Sequence, residues 1–138
     1  MCMSIFVICR LTHEGMVPIV IRETPFADRH AGFNKIFLFN QTQYSKLVFL
    51  DADAWPVKNI DFLFTYPGIA GAPDNFINNE FNTGVMVIEP MGGLFLQLRQ
   101  LYFKYTYGEI GWGTDGTDQG FLNTVGPECM HSVNLLYH

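Results

Sequence analysis

Lys46-Leu47-Val48-Phe49-Leu50-Asp51-Ala52-Asp53 is the stretch on which the reading of this chain turns. Residues 47–50 form a continuous apolar run, the pattern of a strand buried on both faces. Two carboxylates follow at once. On an extended backbone, residues i and i+2 face the same side. Asp51 and Asp53 can therefore reach one hard divalent cation, which prefers oxygen ligands. The carboxyl ends of strands in open α/β sheets are where ligands bind. A cation held there can grip a diphosphate and stabilise charge on a leaving group. The plainer alternative is a solvated turn holding two acids, since Asp is common turn material.

Outward from this strand, strand-like and helix-like segments alternate, which predicts an α/β domain with one mostly parallel central sheet. Residues 3–9 (MSIFVIC) and 16–21 (MVPIVI) read as strands, and Pro18 marks the second as an edge or irregular one. Residues 68–72 (GIAGA) and 85–88 (VMVI) complete the predicted sheet. A helix is expected over 33–44, where Phe33, Ile36, Phe37 and Tyr44 share a face. Residues 94–105 give the clearest helix, with Leu94, Phe95, Leu98, Leu101, Tyr102 and Tyr105 in one stripe. Asn59-Ile60-Asp61 is expected to cap a short helix through Phe64, and Asp118 to cap another through Asn123.

The chain has 138 residues, 49% apolar and 15% aromatic, enough for the core of one domain and too much for a disordered chain. Eight Lys and Arg against thirteen Asp and Glu leave a net charge of −5. Nucleic-acid binding needs a basic surface, and so does docking on anionic lipid. Neither partner is expected. The longest uncharged stretch, 62–73, is too short to cross a bilayer and holds two prolines, so no membrane span is expected. Residues 1–9 lack the basic region and cleavage site of a signal peptide. Cys2, Cys9 and Cys129 show no metal-ligand spacing, nor do the four histidines.

Further candidates for chemistry come from three places. In Phe81-Asn82-Thr83-Gly84, the glycine permits close approach and the Asn amide can both donate and accept to a sugar, although an ordinary turn into a strand is the simpler explanation on chemistry alone. In Asp115-Gly116-Thr117-Asp118-Gln119-Gly120, two carboxylates and an amide can converge on a pocket, or Asp118 can simply cap a helix. Lys35 can meet a phosphate as a point charge, or lie on the surface. Trp55 and Trp112 can stack on a sugar or base, or pack in the ordinary way.

The order of these segments resembles the glycogenin-like glycosyltransferases, family eight. The resemblance rests on Asn34-Lys35-Ile36, then Gln43-Tyr44-Ser45-Lys46 leading into the strand and Asp51-Ala52-Asp53. Asn59-Ile60-Asp61, Ala72-Pro73-Asp74, the block from Phe81 to Pro90, and the block from Asp115 to Asn123 follow in order. It covers most of the chain, and several motifs in sequence are more specific than any one.

The resemblance implies a GT-A, Rossmann-like fold, here incomplete, as a single catalytic domain over 1–138. It implies a UDP-sugar donor, a glycan, protein or lipid hydroxyl as acceptor, and transfer with retention of configuration. It implies Mn²⁺, or Mg²⁺, on Asp51 and Asp53. Lys35, Asp51, Ala52, Asn82, Thr83 and Gly84 would line the donor. Asp115, Asp118 and Gln119 would hold sugar hydroxyls beside the reacting carbon. Retention is expected by front-face attack, the other route being a covalent intermediate on Asp118 or Gln119. Residues 3–9 match the family's second strand. The uracil-holding first strand and a distal His-x-x-Gly segment are expected to be absent. Family members occur in the Golgi lumen and in the cytosol. Two rivals are a non-catalytic sugar-nucleotide-binding remnant and a haloacid-dehalogenase-type phosphatase, whose nucleophile strand LVFLDAD also resembles. The latter has no place for the Gly-Thr-Asp-Gln block.

Overall fold

A computed structural model describes residues 5–9, 17–19, 31–74, 80–106, 117–129 and 133–135. Six strands form one sheet: β1 (Ile5–Cys9), β2 (Val17–Ile19), β3 (Leu47–Leu50), β4 (Ile69–Pro73), β5 (Phe81–Ile88) and β6 (Val133–Leu135). Their spatial order is β2-β1-β3-β5-β4-β6. Two α-helices follow β5, α1 (Gly92–Thr106) and α2 (Asp118–Cys129). The α/β class is as expected. Among the described residues no helix is long and apolar enough to cross a membrane.

The strand directions correct the sequence reading. Among the described residues only β4 and β6 pair in parallel, whereas β1·β2, β1·β3, β3·β5 and β4·β5 are antiparallel. A strand covered on both faces is apolar whichever way it runs, so its composition carries no direction. Connection length does carry one. Parallel neighbours need a crossover of about a dozen residues or more, and residues 74–80 are too few to make it. Asp74 N–H donates to Glu80 O at 2.9 Å and closes that link.

All four β3 residues are buried, as predicted for a strand covered on both sides. Leu47 and Phe49 face the larger core with Met86, Ile88, Leu98 and Phe121. Val48 faces the opposite side, where Val87, Ala70 and Leu63 form a smaller core. The alternation follows from the two-residue period of an extended chain.

The helix expected over 33–44 is a 3-10 helix, Ala31–Asn40. Phe33, Ile36 and Phe39 recur every three residues, the period at which 3-10 side chains eclipse, and each is about fully buried. Phe33 packs its ring 4.8 Å from Tyr102 of α1 and 5.6 Å from Phe121 of α2, so one segment joins both helices.

Other boundaries shift for local reasons. β5 begins at Phe81, four residues earlier than predicted, because 81 and 82 pair with Pro73 and Ala72 past a bulge. α2 runs to Cys129, beyond the predicted Asn123. Its cap is Thr117, whose hydroxyl accepts the Gly120 N–H at 3.1 Å, and not Asp118. The short helix after β3 is a 3-10 turn, Asp61–Thr65, preceded by Asn59 Oδ1 accepting the Asp61 N–H at 2.8 Å. Gly68 opens β4 with φ of 62°, a left-handed conformation that suits glycine.

Candidate functional site

The centre of the site is a lysine that the sequence offered only as one of two readings. Lys35 lies in the middle of the 3-10 helix and is 8% exposed. Its ammonium meets Asp51 at 3.0 Å (Oδ1) and 3.3 Å (Oδ2), at the carboxyl end of β3. It meets Asp118 Oδ2 at 2.8 Å, in the first turn of α2. It also donates to the Thr83 carbonyl and hydroxyl in β5, both at 3.3 Å. The Phe49 ring lies 5.2 Å away, adding a cation–π contact. The surface-lysine reading is therefore corrected: one cation ties together three elements.

The neighbours are held in turn. Thr83 is buried, and its hydroxyl donates to Asp118 Oδ2 at 2.9 Å. Because Thr117 caps α2, the Asp118 carboxylate is released to meet Lys35 and Thr83. Gln119 Oε1 accepts the Thr83 N–H at 3.3 Å, and its Nε2 donates to Asp74 Oδ2 at 2.7 Å. Both ends of that amide are thus engaged by protein. The Asp51 N–H donates to Gly84 O at 2.8 Å, continuing the β3·β5 pairing past Leu50. Asn82 is exposed, with Oδ1 turned back to accept the Gly84 N–H at 2.8 Å.

Ala52 and Asp53 are exposed on the turn after Asp51. Asp115 lies outside the described residues. So do Tyr105's side chain, Trp112 and the ends of the strand predicted over 16–21. Trp55 is 79% exposed.

The donor set suits a hard cation: Asp51 and Asp53 supply oxygens only. Gly84 leaves room beside them, since a Cβ there would lie 3.2 Å from Asp51 Oδ2 and 2.9 Å from Asn82 Oδ1. Among the described residues no third carboxylate, His or Cys joins a metal-binding group. The remaining coordination sites would fall to ligand oxygens.

Sequence reasoning did not single out four contributors. Asp74 anchors Gln119, Thr117 caps α2, Phe49 lies by Lys35, and Asn123 grips Phe81. All four stood within the recognised blocks, which was the available signal. Asn34, beside Lys35, is buried, and its Oδ1 has no hydrogen-bond partner among the described residues.

No protein-family model matches the chain. Curated relatives do. Glycogenin of Neurospora crassa is 41% identical over 112 residues, 80% of this chain and 16% of that protein. UDP-glucuronate:xylan alpha-glucuronosyltransferase 1 of Arabidopsis thaliana is 42% identical over 93 residues, 67% of this chain and 13% of that protein. The chain belongs to the glycogenin-like glycosyltransferases, family eight. Human glycogenin-1 is 41% identical over 90 residues, 65% of this chain and 24% of its own length. The chain thus spans a quarter or less of these glycosyltransferases, and their activities as whole proteins are theirs.

Proposed function

We propose that this chain supplies the donor-binding part of a retaining glycosyltransferase that moves a sugar from a UDP-sugar to an acceptor hydroxyl. The observation that carries the reading is the ammonium of Lys35, which brings the carboxylates of Asp51 and Asp118 to one point. Two negative charges stand against one positive there, and Asp53 adds a third carboxylate on the following turn. An anionic group of that kind calls for a cation before it can accept a diphosphate. Asp51 and Asp53 would hold Mn²⁺ or Mg²⁺, which when bound would supply positive charge to stabilise the departing UDP.

The chain's own groups divide the remaining tasks. Lys35 keeps Asp51 and Asp118 aligned and would offer a point charge to donor phosphate. Asn82 has its Nδ2 end for a sugar hydroxyl, because its Oδ1 is turned to Gly84. Gly84, beside Asp51, lets the donor approach the backbone. Thr83 lies beneath, holding Asp118 in place. Asp118 and Asp115 would bind sugar hydroxyls near the reacting carbon. Gln119, engaged at both ends, is suited to orient the sugar and ill suited to attack it. Front-face attack by the acceptor hydroxyl is the route that asks least of these residues. The acceptor is a glycan, protein or lipid hydroxyl.

Titration of the folded chain with UDP, with and without Mn²⁺, tests this reading. Mn²⁺-dependent UDP binding that Asp53→Ala weakens at least tenfold is expected. A folded chain that binds no UDP in either condition overturns it. Binding without turnover, in any donor-sugar screen, makes the chain a sugar-nucleotide-binding remnant.

A further inference from the structure

Asn123 sits one helical turn beyond Gln119, and its side chain hydrogen-bonds main chain, at Phe81 and Gln119, rather than any of the side chains so far given a chemical role among the described residues. Its side-chain amide faces the start of β5. Oδ1 accepts the Phe81 N–H at 2.9 Å, and Nδ2 donates to the Phe81 carbonyl at 2.8 Å. Nδ2 also donates to the Gln119 carbonyl at 3.0 Å. One amide therefore satisfies both main-chain groups of a strand residue, as a neighbouring strand would, and does so from a helix.

The spacing makes this more than a local bond. From Asn123 back to Gln119 along α2 is four residues, about 6 Å at the helical rise. From Phe81 forward to Thr83 along β5 is two residues, about 6.7 Å at the strand rise. The two steps nearly match and run in opposite senses. The second point of attachment is Thr83, whose N–H reaches Gln119 Oε1 and whose hydroxyl reaches Asp118. Helix and strand are thus pinned at two points about 6 Å apart, which sets their axial register. Phe121 and Leu122, between the pins, are buried in the core and resist sliding but do not choose a register to a fraction of an ångström.

We infer that Asn123 is a positioning residue: by holding the start of β5 against α2 it sets where Asp118 and Gln119 stand relative to Asn82, Thr83 and Gly84. The mechanical part stands on geometry alone. Its consequence for sugar transfer rests on the proposed function. Aspartate at this position would keep the acceptor for Phe81 N–H, remove the donor, and set a charge against two carbonyls. Alanine would remove all three bonds.

Amide hydrogen exchange on the full chain separates the two parts. Asn123→Ala and the near-isosteric Asn123→Asp should speed exchange at Thr83 about tenfold, although neither touches that amide. Exchange at Val87 and Leu98, in the core, should change little. Gln119→Ala should expose Thr83 and leave Phe81 protected. Unchanged protection at Thr83 in both Asn123 variants overturns the inference, and so does an equal loss at Val87, which would mark general destabilisation. Where the protein transfers sugar, both variants should lower kcat at nearly constant donor KM. Adding Gln119→Ala to Asn123→Ala should then cost less than the sum of the two single losses. Fully additive losses would overturn the inference. If the wild-type chain transfers no sugar, the proposed function fails on its own account, and the exchange experiment still decides the role of Asn123.

Discussion

Two lysines bracket β3, and they have opposite surroundings. Lys46, before the strand, pairs with Glu89 at 3.0 Å and donates to the carbonyls of Phe64 and Tyr66. Glu89 Oε1 also accepts the Gly68 N–H at 3.1 Å. That group is electrically balanced, and it fastens the end of the short 3-10 helix and the start of β4 to the sheet. Lys35, at the far end of the strand, is more deeply buried and faces two carboxylates. Its surroundings carry one negative charge too many, and the Asp53 carboxylate stands next in the chain. A balanced ion pair at a sheet corner is a brace. An unbalanced one, at the carboxyl end of a strand, leaves a net negative charge of the kind the proposed cation would offset.

The comparison is broken most severely at Lys35. Lys35→Met leaves Asp51 and Asp118 facing each other without a cation. Urea denaturation should show a loss of about 2–3 kcal/mol, below the 3–5 expected for a fully buried pair because Asp51 is partly solvated. Metal-dependent UDP binding should fall at least tenfold in calorimetry. A variant of wild-type stability would show that Lys35 is not the link between β3 and α2.

Lys46→Met is the counterpart. It should cost about 1–2 kcal/mol, since Glu89 is 40% exposed and can turn to water. UDP affinity should be unchanged. Weakened UDP binding at constant Tm would mean that the brace takes part in the site and that charge balance does not separate the two lysines.

Thr117→Ala sharpens the contrast with the smallest effect. Loss of the cap should cost about 1 kcal/mol in thermal denaturation. Asp118 is then free to turn back towards the exposed N–H groups of α2. Nucleotide affinity should drop more than the stability change alone predicts. An equal loss in Thr117→Ala and in the Lys35→Met background would show that the cap does not act through Asp118.

Much of the fold could be read along the chain. The apolar run at 47–50 and the stripe beginning at Leu94 lie where local pattern puts them, because burial on a strand or helix repeats at a short, fixed period. Asp53, expected in line with Asp51 on an extended chain, stands instead on a turn closed by the Ala54 N–H donating to the Asp51 carbonyl at 2.9 Å. Asn82-Thr83-Gly84 could not be read as strand. Asn and Gly are poor strand formers, and pairing with β4 together with the Asn123 amide overrides that preference. The Phe33, Ile36 spacing suited a 3-10 helix as well as an α-helix, and packing against Tyr102 and Phe121 accompanies the tighter one.

The candidate site divides in the same way. Asp51, Asp53, Asp118 and Gln119 are chemically suggestive wherever they stand. The burial of Lys35, the partnership of Thr83 with Asp118 and the anchoring of Gln119 by Asp74 join residues 16 to 48 positions apart.

Residue order alone settled that a buried strand ends in two carboxylates, that an α/β core surrounds it, and which acids stood ready for chemistry. Strand direction, the burial of Lys35 and the release of Asp118 by Thr117 came only with the folded chain. Local pattern reports which face of an element meets water. It does not report which distant charge meets which, because that depends on where the elements cross.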